Sequence, residues 1–199
     1  GFKLNGALEH FLKIEISGKN VLDAGASTGG FTDVLLRRGA KKIYAVDVGY
    51  GQMAWELQNN PKVIVLDRVN IRNISPQIID QSVDVVVADL SFISLKLVLQ
   101  ALISVAKSDA DFLLMVKPQF EVGKENLGAG GVVRENALRK AAVSDVANHA
   151  FSLGLGCLGV VASDLPGPSG NVEYFLWLKE NAPALLEVDL DNAIALGPQ

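Results

Sequence analysis

The chain has 199 residues, of which 49% are hydrophobic and 20% charged, and its 18 Lys and Arg against 22 Asp and Glu give a formal net charge of −4. This length predicts one large domain that folds without disulfide bonds, and the composition excludes an intrinsically disordered chain. The single cysteine, Cys157, excludes a disulfide scaffold and indicates a reducing, cytoplasmic compartment. There is no apolar run of about 20 residues and no export signal, and the negative charge argues against a nucleic-acid partner held by bulk electrostatics.

In chain order, short β-branched runs alternate with longer helical patterns. Strands are predicted over residues 20–23, 43–47, 63–67, 82–89, 111–117, 156–163 and 172–178. Helices are predicted over residues 2–14, 29–38, 51–58, 95–107 and 135–153. This alternation predicts an α/β fold with a mostly parallel, seven-stranded, doubly wound sheet. The last two strands are joined by a turn-rich loop without a helix, which predicts an antiparallel final strand.

A glycine-rich turn follows the first strand. Gly25 and Gly29 let the backbone approach a ligand closely, and the helix start at Gly30 offers free N–H groups. The spacing differs from the G-x-G-x-x-G of dinucleotide sites, and Asp23 would repel a pyrophosphate but could bind the ammonium group of an amino acid. A nicotinamide or flavin cofactor is therefore the less favoured alternative.

The pattern D-x-G-x-x-x-G-G-F of this turn resembles motif I of the S-adenosylmethionine (SAM) methyltransferases. The resemblance implies SAM as the cofactor and a Rossmann-like SAM-methyltransferase fold. The cofactor-binding residues that it implies in this segment are Asp23, Gly25, Ser27, Thr28, Gly29, Gly30 and Phe31.

Carboxylates also end the second and third predicted strands. Asp47 stands 24 residues after Asp23, where it can accept hydrogen bonds from ribose hydroxyls. Asp67 is positioned to meet an adenine amino group, with Val69 as an apolar wall. Each Asp alone could simply cap a strand, but three at successive strand ends favour a ligand site, because ligands bind at this edge of an open α/β sheet.

The next strands bring a second group of polar residues to the same edge. Asp89 ends the fourth predicted strand, Lys117 ends the fifth, and Glu173 lies in the apolar last run. A lysine in such a strand is costly unless it is paired or in use. A purely structural ion pair of Lys117 with Asp89 or Glu173 is the alternative to a catalytic role.

The segments Lys-Pro-Gln-Phe-Glu from Lys117 and Gly-Asn-Val-Glu ending at Glu173 resemble the catalytic domain of the TlyA (haemolysin A) family. That family belongs to the FtsJ-like ribosomal RNA methyltransferases, and the likeness covers about residues 1–180. The family methylates a ribose 2′-hydroxyl with a Lys-Asp-Lys-Glu tetrad, which here falls on Lys3, Asp89, Lys117 and Glu173. The resemblance implies a SAM-dependent enzyme without a metal, acting on ribosomal RNA or a ribosomal subunit.

Three other functions remain as alternatives. A base N-methyltransferase is suggested by Asp89-Leu-Ser-Phe92, a distant echo of Asp-Pro-Pro-Tyr, although both prolines are missing and that chemistry does not need Lys117. A pore-forming haemolysin is suggested by the family name, but no membrane segment supports it. An RNA-binding module without catalysis is the third, although all four tetrad positions are filled.

The charge is unevenly distributed along the chain. We predict a methyltransferase domain over residues 1–180 and an acidic C-terminal tail over residues 181–199. Residues 180–199 contain four carboxylates and no Lys or Arg, so residues 1–179 carry 18 positive and 18 negative charges. TlyA-like proteins have an N-terminal S4-like RNA-binding domain, which this chain lacks. We therefore expect a piece of a longer protein that binds RNA weakly on its own.

Overall fold

A seven-stranded sheet organises the chain in a computed structural model that describes residues 1–198. Its strands are β1 (Asn20–Ala24), β2 (Lys42–Val46), β3 (Val63–Leu66), β4 (Val83–Ala88), β5 (Ala106–Val116), β6 (Leu155–Ala162) and β7 (Tyr174–Glu180). They lie in the order β3-β2-β1-β4-β5-β7-β6. Strands β1 to β5 are parallel, and β7 runs antiparallel to both β5 and β6. The predicted mostly parallel sheet with an antiparallel final strand is confirmed, and that strand lies inside the sheet.

Helices cover both faces of the sheet. They are α1 (Phe2–His10), α2 (Gly30–Arg37), α3 (Trp55–Gln58), α4 (Leu99–Val105), α5 (Asn136–Ser152) and α6 (Glu187–Leu196). Helices α1 and α2 pack on one face through residues such as Leu8 and Leu35, whereas α4, α5 and α6 pack on the other. Alternate side chains of β4 enter the two cores, which explains why this strand is a continuous apolar run.

Three predicted helices are shorter than their sequence patterns suggest. The first, predicted over residues 2–14, ends at His10. Only Trp55–Gln58 of the segment 51–58 is helical, because Gly51 has a φ of +63° and its amide donates to Asp67. In the segment 95–107, a 3-10 turn at Leu95–Leu97 precedes α4, and β5 already begins at Ala106, which pairs with Val83.

The acidic segment after β7 contains a packed helix. Leu190, Ala193 and Ile194 of α6 are buried in the same core as α5. On the outer side, Lys140 of α5 forms ion pairs with Glu187 at 2.8 Å and Asp191 at 2.6 Å. Residues 187–196 are thus part of the domain, and two of their carboxylates are paired with a lysine.

We expect Leu190→Ala to lower the free energy of unfolding by about 2–5 kcal/mol, because it removes a side chain that is buried in the core. The matched control is Val188→Ala on the same helix, where the side chain is 62% exposed and the change should stay within about 0.5 kcal/mol. Urea denaturation measures both. Equal effects of the two substitutions would mean that α6 does not contribute to the core.

Candidate active site

One edge of the sheet collects the polar side chains that the sequence analysis selected. Asp47, Asp67, Asp89 and Lys117 directly follow the parallel strands β2, β3, β4 and β5. Because β7 is antiparallel, its beginning lies at this same edge, and Glu173 directly precedes it. The first turn of α1 adds Lys3.

Two ion pairs join the four predicted catalytic residues. Lys117 Nζ lies 2.6 Å from Asp89 Oδ1, and Lys3 Nζ lies 2.7 Å from Glu173 Oε2. Lys117 also donates a hydrogen bond to Ser91 Oγ at 3.1 Å. The sequence left open whether Lys117 pairs with Asp89 or Glu173, and the structure selects Asp89.

Glu173 is the most deeply buried member of this group. Its side chain is 0% exposed, and Oε1 has no hydrogen-bond partner among the described residues. The ammonium of Lys3 is therefore the cation that compensates this buried carboxylate. Removing one partner of a buried ion pair is strongly destabilising, because a buried charge is left without its counter-ion.

The glycine-rich turn is packed tightly against the end of β4. Gly25 has a φ of +85°, and a Cβ at this position would collide with the carbonyl oxygen of Asp89. The Asp89 amide donates to the Ala24 carbonyl at 3.0 Å. Any larger residue at position 25 would displace Asp89, so this glycine fixes the position of a charged residue of the site.

Asp23 lies beneath this turn, out of contact with solvent. Thr32 Oγ1 donates to Asp23 Oδ2 at 2.7 Å, and Asp23 Oδ1 is buried without a hydrogen-bond partner among the described residues. Burial raises the pKa of Asp23 to about 7, the Thr32 hydrogen bond opposes this rise, and the carboxylates of Asp89 and Asp47 add to it. Its second oxygen therefore lies buried behind the turn without a compensating donor among the described residues.

The carboxylates of Asp47 and Asp67 hold backbone turns. Asp47 accepts hydrogen bonds from the amides of Ser27 at 2.8 Å and Gly49 at 2.7 Å. Asp67 accepts one from the Gly51 amide at 2.9 Å. Asp47 thus connects the end of β2 to the glycine-rich turn, whereas Asp67 supports the next turn outward.

Two adjoining cavities of about 430 and 280 Å³ open at this edge, and both are lined by Gly25, Ser27 and Asp89. The larger one is also lined by Asp47 and Val69. The smaller one is also lined by Lys3, Thr28, Gly30 and Phe31.

Five predicted residues lie outside the linings of these two cavities: Asp23, Gly29, Asp67, Lys117 and Glu173. Gly29 has a φ of +97° and packs against Leu57, so it shapes the turn. Lys117 and Glu173 do not line the cavities themselves, but their ion-pair partners Asp89 and Lys3 do.

Part of the cavity wall was not predicted as cofactor-binding from the sequence, in particular Gln52, Asn70, Ser91 and Phe92. Each lies within a few positions of a predicted residue, so proximity to the strand ends was the available signal. Phe92 has a φ of +64° and is 90% exposed. Its ring lies 5.1 Å from that of Phe120, measured between centroids.

Residues 1–198 contain no group of three or more His, Cys, Asp or Glu side chains that could hold a metal ion. None of their helices combines the length and the apolar character that a membrane crossing requires.

Comparison with known proteins assigns the chain to a family. The FtsJ-like methyltransferase family matches residues 1–180. The 16S/23S rRNA (cytidine-2′-O)-methyltransferase TlyA of Mycobacterium tuberculosis is 56% identical over 201 residues, which cover 98% of this chain and 75% of the relative. Hemolysin A of Brachyspira hyodysenteriae is 34% identical over 175 residues, which cover 87% of this chain and 72% of the relative.

A solved structure supports the fold. The S-adenosylmethionine dependent methyltransferase from Mesorhizobium loti superimposes with a TM-score of 0.67 at 12% identity, covering 90% of this chain and 99% of that one. At this identity the likeness concerns the fold alone, and it confirms the Rossmann-like methyltransferase architecture.

The pKa of Asp23 makes stability depend on pH. An unfolded Asp has a pKa near 3.8, so between that value and about 7 the folded protein holds a proton that unfolding releases. The proton on Asp23 therefore stabilises the folded state at low pH. This contribution, on the order of 4 kcal/mol, is lost as the pH rises from 3.8 through about 7.

Asp23→Asn removes this titration, and urea denaturation at pH 5 and pH 8 measures the effect. From pH 5 to pH 8 the free energy of unfolding of the parent protein should fall relative to that of Asp23→Asn. Parallel pH profiles of the two proteins would show that Asp23 is ionised in the folded state throughout.

Proposed function

The chain belongs to the FtsJ-like methyltransferase family, and we propose that it transfers the methyl group of SAM to a ribose 2′-hydroxyl of ribosomal RNA. The observation that carries this proposal is the pair of contacts Lys117–Asp89 and Lys3–Glu173 beside a glycine-walled cavity. The substrate class is supported by the related cytidine-2′-O-methyltransferase, whose sequence aligns with nearly the whole chain.

The residues around the two cavities fit SAM. Asp23 lines neither cavity, so we assign its carboxylate an indirect part, as a negative charge behind the turn that attracts the ammonium of the methionine part. Asp47 and Val69 line the larger cavity, where they suit a ribose and an adenine respectively. Thr28, Gly30 and Phe31 line the smaller one, and Gly29 shapes the turn between them. We assign Asp67 an indirect part, through the turn at Gly51. When bound, SAM supplies an electrophilic methyl group.

Lys117 is the residue that we assign to the reacting hydroxyl. A ribose hydroxyl is a poor nucleophile, so its proton must leave, or its developing negative charge must be stabilised, as the new O–C bond forms. Asp89 and Ser91 orient the Lys117 ammonium, which stabilises the developing alkoxide. Lys117 can accept the hydroxyl proton itself only after giving up one of its own, and Asp89 is the nearest acceptor.

The second ion pair serves to hold the substrate hydroxyl. Lys3 lines the smaller cavity and is partly exposed, whereas Glu173 behind it is fully buried. Lys3 can therefore contact the ribose while Glu173 fixes its position. Correct orientation of the attacking oxygen contributes a large part of the rate of such transfers.

A base nitrogen would make different demands on the site. Its lone pair attacks without the prior loss of a proton from a group as weakly acidic as a hydroxyl. The two lysines, each paired with a carboxylate, therefore favour a ribose hydroxyl as the methyl acceptor. The assays below distinguish it from a base nitrogen.

We expect Lys117→Ala to lower the turnover number by roughly 10²–10⁴-fold, because the group that stabilises the oxyanion is lost. SAM affinity, measured by isothermal titration calorimetry, should remain within about threefold, since Lys117 lies outside the linings of both cavities. Lys62→Ala, which changes an exposed lysine just before β3, is the matched control and should retain full activity. Full activity of Lys117→Ala would contradict this assignment.

The acceptor can be identified with tritiated SAM and isolated ribosomal subunits. Transfer to a ribose 2′-oxygen makes the adjacent phosphodiester resistant to alkali, because the hydroxyl that attacks the phosphate is blocked. We therefore expect the label in alkali-resistant dinucleotides after hydrolysis of the RNA. Label in mononucleotides would indicate a methylated base, and lysis of red cells without any transfer would support the haemolysin alternative.

A further inference from the structure

Glu121 ends the Lys-Pro-Gln-Phe-Glu segment, and none of the roles assigned above uses it. It stands four residues after Lys117, directly after the 3-10 turn Pro118–Phe120 that follows β5. Its side chain does not point freely into solvent: Glu121 is half-buried and turned toward the residues that follow β4.

The residues that follow β4 need such a partner. We call residues 89–94 the β4 loop; it carries Asp89 and Ser91, the two groups that contact Lys117. Within the described chain, none of the amides of residues 90–94 donates a hydrogen bond, and Phe92 has a left-handed backbone conformation. Beyond Asp89, whose amide donates to the Ala24 carbonyl, the backbone of the β4 loop is therefore not held in place by regular secondary structure.

Glu121 supplies the missing anchor with both carboxylate oxygens. Oε2 accepts a hydrogen bond from Ser94 Oγ at 2.6 Å, and Oε1 accepts one from the Leu95 amide at 2.8 Å. Both bonds are made to a charged acceptor, which makes them stronger than neutral ones. They fix the point at which the β4 loop enters its following 3-10 turn, Leu95–Leu97.

The β4 loop and the segment from Lys117 to Glu121 also contact each other at two further points. Lys117 contacts Asp89, and Phe120 contacts Phe92. Phe92 is almost fully exposed and so cannot be a rigid anchor, whereas Glu121 is sheltered and bidentate. Burial raises the pKa of Glu121, while hydrogen bonds from Ser94 and Leu95 and the charge of Lys96 favour the ionised form.

We propose that Glu121 is a positioning residue for methyl transfer, which fixes the β4 loop against the end of β5 and thereby holds Asp89 and Ser91 on Lys117. This inference rests on the function proposed above. Glu121 acts through Lys117 and has no direct contact with the reacting atoms, so its loss should lower turnover more than SAM affinity. A displacement of about 1 Å at reacting groups can cost roughly 10²-fold in rate.

The test compares Glu121→Ala with Glu121→Gln. The amide of Gln can still accept from Leu95 and donate to Ser94 Oγ, whereas Ala can do neither. We expect Glu121→Ala to lower the turnover number by roughly 10- to 100-fold with SAM affinity nearly unchanged, and Glu121→Gln to recover most of the loss. Glu125→Ala, at an exposed position four residues after Glu121, is the matched control and should behave like the parent protein.

Hydrogen exchange gives a second readout that is independent of activity. In Glu121→Ala the peptide that contains the Leu95 amide should exchange faster than in the parent protein, while peptides from β4 and β5 should not. Ser94→Ala combined with Glu121→Ala should be little worse than Glu121→Ala alone, because both substitutions break the same contact.

The outcomes separate this inference from the proposed function. Parent-like turnover of Glu121→Ala, or unchanged exchange at Leu95, would overturn the positioning role. Faster exchange throughout the domain would show a general stabilising role and would also overturn it. If the parent protein itself transfers no methyl group, the proposed function fails, and the exchange data alone decide whether Glu121 fixes the β4 loop.

Discussion

The common direction of β1 to β5 is the constraint on which the site depends. Because β4 pairs with β5 in parallel register, Asp89 and Lys117 emerge side by side and can form an ion pair. The opposite direction of β7 has the complementary effect, because Glu173 precedes that strand and therefore reaches the same edge. A parallel β7 would place Glu173 at the far edge of the sheet, where Lys3 could not compensate its buried charge.

Most of the fold could be predicted because its strands are buried on both faces and appear as continuous apolar runs. The exceptions have local physical causes. Residues 51–54 have a helical composition, but the contact of Gly51 with Asp67 draws them toward the site. The start of β5 could not be separated from α4, because residues 106–109 are mostly polar and exposed and become a strand only through pairing with Val83. Helix α6 was hidden by its three carboxylates, two of which are paired with Lys140.

The site was predictable where a polar residue interrupts an apolar strand, as Lys117 and Glu173 do. Partner choice was not, because it depends on strand order: Lys117 lies beside Asp89 only once β4 and β5 are known to be neighbours. The part played by Glu121 could not be derived for the same reason, since Ser94 lies 27 positions away in sequence. The sequence thus identifies reactive groups more readily than the residues that orient them.

The internal position of β7 also constrains how the protein folds. Strand β6 precedes β7 in the sequence. Within residues 1–198, however, β6 is hydrogen-bonded to the sheet only through β7. Until residues 174–180 insert, β5 and β6 therefore present unpaired edges, a state that exposes strands to wrong partners. Glu173 directly precedes the inserting strand, so it reaches Lys3 in the same step that joins these two edges. Completion of the sheet and formation of the Lys3–Glu173 ion pair therefore both depend on the insertion of one strand, β7.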